Sequence, residues 1–193
     1  RSGLAVAKLL KRLGASVLVN EKKPREACPE AEELEKLGIP VVCGGHSEHL
    51  LEGIDFVVKN PGIPYHIKPV QIALDRNIPV VSEVEIAASI CRVPIVGITG
   101  SNGKTTTTTL VGKMLKASGV PAKVAGNIGQ ALADVVEELS EKEWLVAELS
   151  SFQLKGTSTF HPRIGVLLNV SPAHLDYHQT FDDYLASRLR LFQ

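Results

Sequence analysis

Gly100-Ser101-Asn102-Gly103-Lys104-Thr105 is the stretch that decides the fold, because of the segments on either side of it. An apolar run rich in β-branched residues precedes it at 93–98, and a helical pattern follows it at 106–118. Strand, glycine turn, lysine, hydroxyl and helix, in this order, are typical of a phosphate-binding loop. The glycines allow several backbone N–H groups to face one anion, and the N-terminus of the helix adds partial positive charge.

The loop departs from the strict Walker A pattern, which requires a glycine where Ile98 stands. The alternative interpretation is a glycine-rich surface turn. That alternative does not explain five consecutive threonines at 105–109, which open a helix although threonine is a poor helix former. We therefore predict a nucleotide site that consists of Gly100, Ser101, Asn102, Gly103, Lys104, Thr105 and Thr106.

The composition indicates a globular protein and gives no electrostatic sign of a nucleic-acid or membrane partner. Of 193 residues, 21 are acidic and 21 are Lys or Arg, and 44% are hydrophobic. No apolar run approaches the ~20 residues of a membrane-spanning helix. Cys28, Cys43 and Cys91 lack Cys-x-x-Cys spacing, so we expect free thiols rather than disulfides or a zinc site.

Short β-branched runs alternate with amphipathic segments, which indicates an α/β fold with mainly parallel sheets. The βα pattern restarts near residue 92, so we predict two domains, 1–92 and 93–193. The first is predicted to be Rossmann-like without its first strand, and the second to be an incomplete mononucleotide-binding domain of the P-loop type. The predicted helices are 4–13, 30–37, 70–76, 84–89, 106–118, 130–139 and 181–192, and the predicted strands are 16–19, 41–42, 56–58, 93–98, 123–125, 144–147 and 164–168.

Further candidate site residues follow predicted strands, where α/β folds bind their ligands. Glu148 follows the strand at 144–147, and an acid beside a phosphate loop commonly binds Mg²⁺. Taken alone, it equally fits a solvated glutamate. Asn127 lies in Gly126-Asn127-Ile128-Gly129, which fits a phosphate contact or an ordinary turn. Glu21 follows the strand at 16–19, where an acid can bind a ribose, and Lys22 is next to it.

His174 and His178 have the i, i+4 spacing of some zinc sites. No neighbouring Cys or Glu supplies a third ligand, so we favour a role for His174 in binding Mg²⁺ or substrate.

Together these motifs resemble the Mur ligase family. Residues 99–105 resemble its ATP loop. The sequences of four segments, and their order along the chain, resemble the branch of the family that adds D-glutamate; the segments are 60–63, 126–129, 148–154 and 169–178. The resemblance covers essentially the whole chain but only two of the family's three domains, and we expect the fragment to be inactive alone.

The resemblance implies a cytoplasmic, monomeric ligase of peptidoglycan synthesis that uses ATP and Mg²⁺. It would join D-glutamate to UDP-N-acetylmuramoyl-L-alanine through an acyl phosphate. Lys104 would bind the β- and γ-phosphates, and Thr105, Glu148 and His174 would bind metal. The implied substrate-binding residues are Ser2, Glu21, Lys22, Asn60, Gly62, Asn127, Ser150, Gln153 and His174.

One departure concerns Arg188, which stands where the family usually has a carbamylated lysine, and arginine cannot form that carbamate. Arg188 is therefore predicted to supply positive charge to catalysis directly or to alter a second Mg²⁺ site, unless the chain is a weakened or divergent copy of the ligase. Alternatives are another Mur or folylpolyglutamate-type ligase, a non-catalytic nucleotide-binding module, or a dinucleotide oxidoreductase. The last is suggested by Gly3 and Glu21, but it has no place for the phosphate loop.

Overall fold

The computed structural model describes residues 2–193, which form two compact units that divide after Val80. Both units are mixed α/β, and the strand pairs of known direction are parallel. This confirms the predicted α/β class with parallel sheets. The first helix of the second unit, Glu83–Ile90, precedes residue 92. The domain ranges 1–92 and 93–193 stay a prediction.

The first unit has short strands and helices around a small apolar cluster. Ala7, Leu34 and Ile39 are its buried members. Strand β1 runs parallel to β2, with Val19 opposite Val41, so both strands add to the cluster. The elements are α1 (Ser2–Arg12), β1 (Val19–Glu21), α2 (Glu30–Lys36), β2 (Val41–Cys43), β3 (Val57–Val58) and α3 (Lys68–Asp75), with 3₁₀ turns at Arg25–Ala27 and Glu48–Leu51, and β4 (Val80–Val81) lies at the division between the units.

The second unit is built on one four-stranded parallel sheet. Its elements are α4 (Glu83–Ile90), β5 (Ile95–Thr99), α5 (Lys104–Ala117), β6 (Ala122–Gly126), α6 (Leu132–Val135), β7 (Trp144–Glu148), α7 (Ser151–Lys155), β8 (Ile164–Leu167), α8 (Leu175–His178) and α9 (Phe181–Leu189), followed by a 3₁₀ turn at Arg190–Phe192.

The strand order in this sheet is β6-β7-β5-β8, and every neighbouring pair is parallel. All five residues of β5 are buried, as expected for an interior strand covered on both faces. Val96, Ile98 and Val146 form the core with partly buried side chains of α5, including Val111 and Leu115. Because the four strands are parallel, the segments that follow them all leave the sheet at its carboxyl edge.

Several predicted boundaries differ from the structure. The strand predicted at 16–19 lies at Val19–Glu21, because only these residues have a partner in β2. The helix predicted at 130–139 is α only at Leu132–Val135, after which Glu138 N bonds to Val135 O and the turn tightens. Helices α7 and α8 and strand β4 were missed. None of the helices in residues 2–193 has the length and apolar character that a membrane crossing requires.

Candidate functional site

The loop between β5 and α5 occupies the carboxyl edge of the second sheet. Gly103 precedes α5 with φ of 81°, a left-handed conformation that glycine adopts at little cost. Asn169, which follows β8, fixes the loop from the other side. Its Oδ1 accepts from Asn102 N at 2.9 Å, and its Nδ2 donates to Asn102 O at 3.1 Å. The loop is thus held in shape by a neighbouring strand end.

Lys104 is the first residue of α5, and its side chain folds back over the loop. Nζ donates to Gly100 O at 2.8 Å and to Ser101 O at 3.1 Å. An ammonium group has three N–H donors, so within residues 2–193 one is left for an anionic oxygen. Burial lowers the pKa of Lys104, and the positive charge of Arg188 lowers it further, while Glu148 opposes them. The negative charge of a ligand would offset both effects and favour the charged form of Lys104.

Glu148 ends β7 and is 1% exposed. Its Oε2 accepts from Thr105 Oγ1 at 2.7 Å, and its Oε1 accepts from Asn127 Nδ2 at 2.9 Å. The structure thus brings together three predicted site residues from the ends of three different segments. A carboxylate beside a hydroxyl is a donor set that suits a hard cation such as Mg²⁺, which prefers oxygen ligands and retains several waters.

Gly126 allows this close arrangement. It lies opposite Glu148 in the β6–β7 register, and its φ is 106°. A Cβ at this position would lie 2.3 Å from the Glu148 backbone oxygen, a distance that no side chain tolerates. Asn127 N also donates to that oxygen at 2.8 Å. The glycine therefore lets the 126–129 turn pass directly over the end of β7.

Arg188, on α9, extends into the interior and is 2% exposed. Its Nη1 donates to Thr99 Oγ1 and its Nη2 to Tyr184 OH, both at 2.6 Å. Tyr184 OH lies 2.6 Å from Ser101 Oγ, so this chain of hydrogen bonds reaches the loop. Arg188 Nε is buried without a partner among residues 2–193. The guanidinium is thus a fixed cation behind the loop, and no local sequence pattern predicts its partners.

The two histidines of the 174–178 segment have different surroundings. His174 is exposed, has φ of 55°, and its ring centroid lies 4.9 Å from that of Phe152. His178 is buried against Asp183 and Ser151. No group of three or more His, Cys, Asp or Glu side chains within the described chain has a metal-binding arrangement. A role for His174 stays a prediction.

Ser150 and Gln153 form a capping box at the start of α7. Ser150 Oγ accepts from Gln153 N at 3.2 Å, and Gln153 Oε1 accepts from Ser150 N at 2.9 Å. The signal for this was present in the sequence, since Ser-x-x-Gln is a capping-box pattern. These bonds fix the backbone that follows Glu148. The predicted contact of both side chains with substrate stays a prediction.

The predicted site residues of the first unit lie at the start of α1, at the end of β1 and just after it, and after β3. Ser2 Oγ donates to Asn60 Oδ1 at 2.7 Å, which brings two of them together. Glu21 Oε1 accepts from Lys23 N at 3.1 Å. Lys22 and Gly62 are exposed.

Lys59, which sequence reasoning missed, shapes the turn that contains Asn60 and Gly62. It is buried, and its Nζ donates to Asn60 O at 3.2 Å, Pro61 O at 3.3 Å and Ile63 O at 2.7 Å. No local sequence pattern distinguishes a buried lysine that donates to three carbonyls from an exposed one.

Comparison with known proteins assigns both parts of the chain to one family. Residues 1–82 match the Mur ligase MurD-like N-terminal domain, and residues 98–193 match the Mur ligase middle domain. The UDP-N-acetylmuramoylalanine–D-glutamate ligase of Geobacillus sp. (strain WCH70) is 53% identical over all of this chain. The ligase of the same name from Streptococcus mutans is 50% identical over 97% of it. The chain covers 43% and 42% of these two relatives.

Solved structures agree on the fold. A murein peptide ligase from Psychrobacter arcticus has a TM-score of 0.55 at 19% identity, with 97% of this chain and 44% of that chain covered. The UDP-N-acetylmuramate:L-alanyl-gamma-D-glutamyl-meso-diaminopimelate ligase from Neisseria meningitides has a TM-score of 0.54 at 19% identity, with 97% and 63% covered. On the two family matches and the relatives about half identical to it, the chain belongs to the Mur ligase family, with residues that match its N-terminal and middle domains.

Proposed function

We propose that this chain is part of an ATP-dependent carbon–nitrogen ligase that adds D-glutamate to UDP-N-acetylmuramoyl-L-alanine. The observation that carries the proposal is the contact of Glu148 with Thr105 and Asn127, beside Lys104 and its loop. Relatives about half identical to this chain bear the name of that ligase, which supports the choice of substrates. The activity belongs to a whole protein that acts in the cytoplasm as a monomer.

The second unit, as a P-loop-type domain, would bind ATP. Lys104 would bind the β- and γ-phosphates, with residues 100–106 around them. Thr105 and Glu148 would hold Mg²⁺, with His174 as a further ligand. Mg²⁺ would neutralise phosphate charge, and phosphoryl transfer depends mainly on positioning and charge neutralisation. Since Thr105 and Glu148 already contact each other, little rearrangement is needed to receive the cation.

The first unit, as a Rossmann-like domain, would bind the UDP part of the substrate. The Ser2–Asn60 hydrogen bond brings a helix N-terminus beside the turn that contains Gly62, and such N-termini favour phosphate. Glu21 ends β1 and Lys22 follows it, and both would contact the nucleoside. In the second unit, Asn127 would contact the phosphate region of the substrate, and Ser150, Gln153 and His174 would be further substrate-binding residues.

Arg188 would replace a metal-associated group by a permanent positive charge. It already binds Thr99 and Tyr184, and it lowers the pKa of Lys104 through its charge. We propose that it adds to the positive potential that the triphosphate meets. This role differs from that of a carbamylated lysine, which would carry negative charge.

Binding of a fluorescent ATP analogue to the 193-residue chain, with and without Mg²⁺, tests the nucleotide site. Lys104→Ala should weaken binding by about tenfold or more, because a hydrogen bond to a charged group contributes ~1.5–3 kcal/mol. Lys113→Ala is the matched control, since Lys113 is an exposed lysine of the same helix. Equal affinities of the two variants would refute the assignment of the loop.

The acceptor is tested in a whole protein that contains this chain. ATP-dependent joining of D-glutamate to UDP-N-acetylmuramoyl-L-alanine, with release of ADP and phosphate, is the expected result. Turnover with another amino acid or with a folate would favour a different ligase of the same family. Nucleotide binding without any turnover would favour the non-catalytic module, and preferential binding of a dinucleotide would favour the oxidoreductase.

A further inference from the structure

A second cluster of polar side chains in the second unit surrounds His178, which is 2% exposed. Its Nδ1 lies 2.8 Å from Asp183 Oδ2, and its Nε2 lies 3.0 Å from Ser151 Oγ. A carboxylate only accepts hydrogen bonds, so Nδ1 carries a proton, and in the neutral ring Nε2 then accepts from the Ser151 hydroxyl. Burial lowers the pKa of His178, although Asp183 opposes this, which favours the neutral ring. Lys155 Nζ donates to the same Asp183 oxygen at 2.6 Å.

The arrangement of serine, histidine and aspartate has the hydrogen-bond order of a hydrolytic triad, but it cannot act as one. Ser151 is 1% exposed, so its hydroxyl is closed to a substrate. Both polar nitrogens of the ring are already occupied by side chains of α7 and α9. The cluster is therefore suited to holding segments together rather than to forming a covalent bond.

The segment that this cluster holds is strained. Helix α8 is a single turn between two non-glycine residues with positive φ, His174 at 55° and Gln179 at 64°. Such conformations persist only where the surrounding structure fixes them. His178 ends α8 and is bonded to the first residue of α7 and to α9. Phe152 packs its ring against His174 at 4.9 Å and against Tyr177 at 4.5 Å.

The same contacts connect α8 to the end of β7. Ser151 is the third residue after Glu148, and the intervening backbone is fixed by the capping box of Ser150. A hydrogen bond from Ser151 to His178 therefore sets the distance between the segment of Glu148 and that of His174. No sequence pattern joins these residues, since Ser151 and His178 are 27 positions apart.

We propose that His178 is a positioning residue, which locks α8 to α7 and α9 and thereby presents His174 to the metal and substrate site. The use of His174 rests on the function proposed above, but the lock itself does not. Loss of the lock releases the left-handed conformation of His174. The expected consequence is a weaker response to Mg²⁺ with little change in nucleotide binding without metal.

NMR of the ¹⁵N-histidine-labelled 193-residue chain tests the lock without any ligand. The expected spectrum shows His178 as the neutral Nδ1–H tautomer, with a proton protected from exchange. Ser151→Ala, which removes one oxygen atom, should shift the His178 Nε2 resonance and the backbone resonances of His174. An Nε2–H tautomer, or unchanged His174 resonances in Ser151→Ala, would overturn the proposal.

Magnesium titration of ATP-analogue binding tests the consequence. In His178→Gln and Ser151→Ala, the Mg²⁺ concentration for half-maximal binding should rise about 10–100-fold, the usual effect of removing an outer partner of a metal site. Affinity in EDTA should stay within about twofold of wild type, whereas general destabilisation would weaken binding in both conditions. His66→Gln, at an exposed histidine of the first unit, is the control. An unchanged Mg²⁺ midpoint in both variants overturns the inference.

The two proposals fail in different ways. If the wild-type chain binds no nucleotide with or without Mg²⁺, the proposed nucleotide site fails, and the NMR experiment then decides on the lock alone. If wild type responds to Mg²⁺ but the variants respond identically, the nucleotide site stands and the positioning role of His178 is refuted.

Discussion

Glu83 is a buried acid in the second unit whose ionisation should make the free energy of unfolding fall as pH rises through neutrality. It is the first residue of α4 and is 1% exposed. Oε1 accepts from Ala133 N at 2.6 Å, while Oε2 is buried without a partner among residues 2–193. Burial raises the pKa of Glu83 from 4.5 to about 7, and the charge of Asp134 adds to this. Backbone hydrogen bonds from Ala133 and Leu132 oppose the change.

The sign and size of the effect follow from this raised pKa. The folded chain binds the Glu83 proton more tightly than the unfolded chain, so the stabilisation is complete below pH 4.5 and is lost as pH rises through about 7. A pKa difference of about 2.5 corresponds to about 3 kcal/mol at ~1.36 kcal/mol per pKa unit. Most of this loss, about 2–3 kcal/mol, falls between about pH 5 and pH 8.

Glu83→Gln removes the ionisation and keeps a carbonyl oxygen for Ala133 N. Urea denaturation of the 193-residue chain at about pH 5 and pH 8 measures the result. At about pH 8 the variant should exceed wild type in free energy of unfolding by up to about 3 kcal/mol, and at about pH 5 by less than about 1 kcal/mol.

Glu85 provides a matched control of opposite sign. Burial tends to raise the pKa of this carboxyl, but hydrogen bonds from Thr159, Ser158 and Phe160 outweigh burial and lower it. Its stabilisation is therefore present at neutral pH and is lost in acid, and Glu85→Gln should destabilise the chain at about pH 8 more than at about pH 4. If Glu83→Gln and wild type lose stability equally between about pH 5 and pH 8, the reasoning about Glu83 is refuted.

Three further predictions concern the site. Gly126→Ala should cost about 1–3 kcal/mol more in urea denaturation than Gly129→Ala, since both have positive φ but only Gly126 has backbone within 2.3 Å of an added Cβ; equal costs would contradict the close approach. Thr105→Val should reduce the effect of Mg²⁺ on ATP-analogue binding, whereas Thr105→Ser should preserve it, and a normal response in Thr105→Val would exclude the hydroxyl as a ligand. Arg188→Met should lower the free energy of unfolding by about 1–3 kcal/mol because two hydroxyls lose their donor, and calorimetry that detects no change would show the network to be dispensable.

Local pattern was sufficient to predict the segments that carry the site. The loop at 100–105, the helix behind it and the strand before Glu148 were all predicted, because each has a periodicity or a turn residue of its own. The contacts between the side chains of these segments could not be predicted in this way. Thr105 and Glu148 are 43 positions apart, and only the order of strands in the sheet makes them neighbours.

Buried polar side chains were the main residues that the sequence could not reveal. Glu83 and Glu85 occupy the first turn of α4, where acids favour the helix dipole whether or not they are exposed. The sequence pattern around His178 suggests only a zinc ligand paired with His174, whereas the partners of His178 come from α7 and α9. The burial of these side chains and their hydrogen-bond partners arise from tertiary packing, so a local sequence pattern does not predict them.

The site depends on register more than on any single side chain. Ile98 of β5 and Gly126 of β6 both lie opposite Glu148. The phosphate loop and the 126–129 turn therefore begin next to Glu148 at the same edge of the sheet. A slip of one residue would turn Glu148 to the other face of the sheet and separate it from Thr105. Gly126 makes the correct register possible, because any Cβ there would collide with the Glu148 backbone. We therefore expect substitutions at Gly126 to disturb the contact between Glu148 and Thr105, although Gly126 itself supplies no functional group to it.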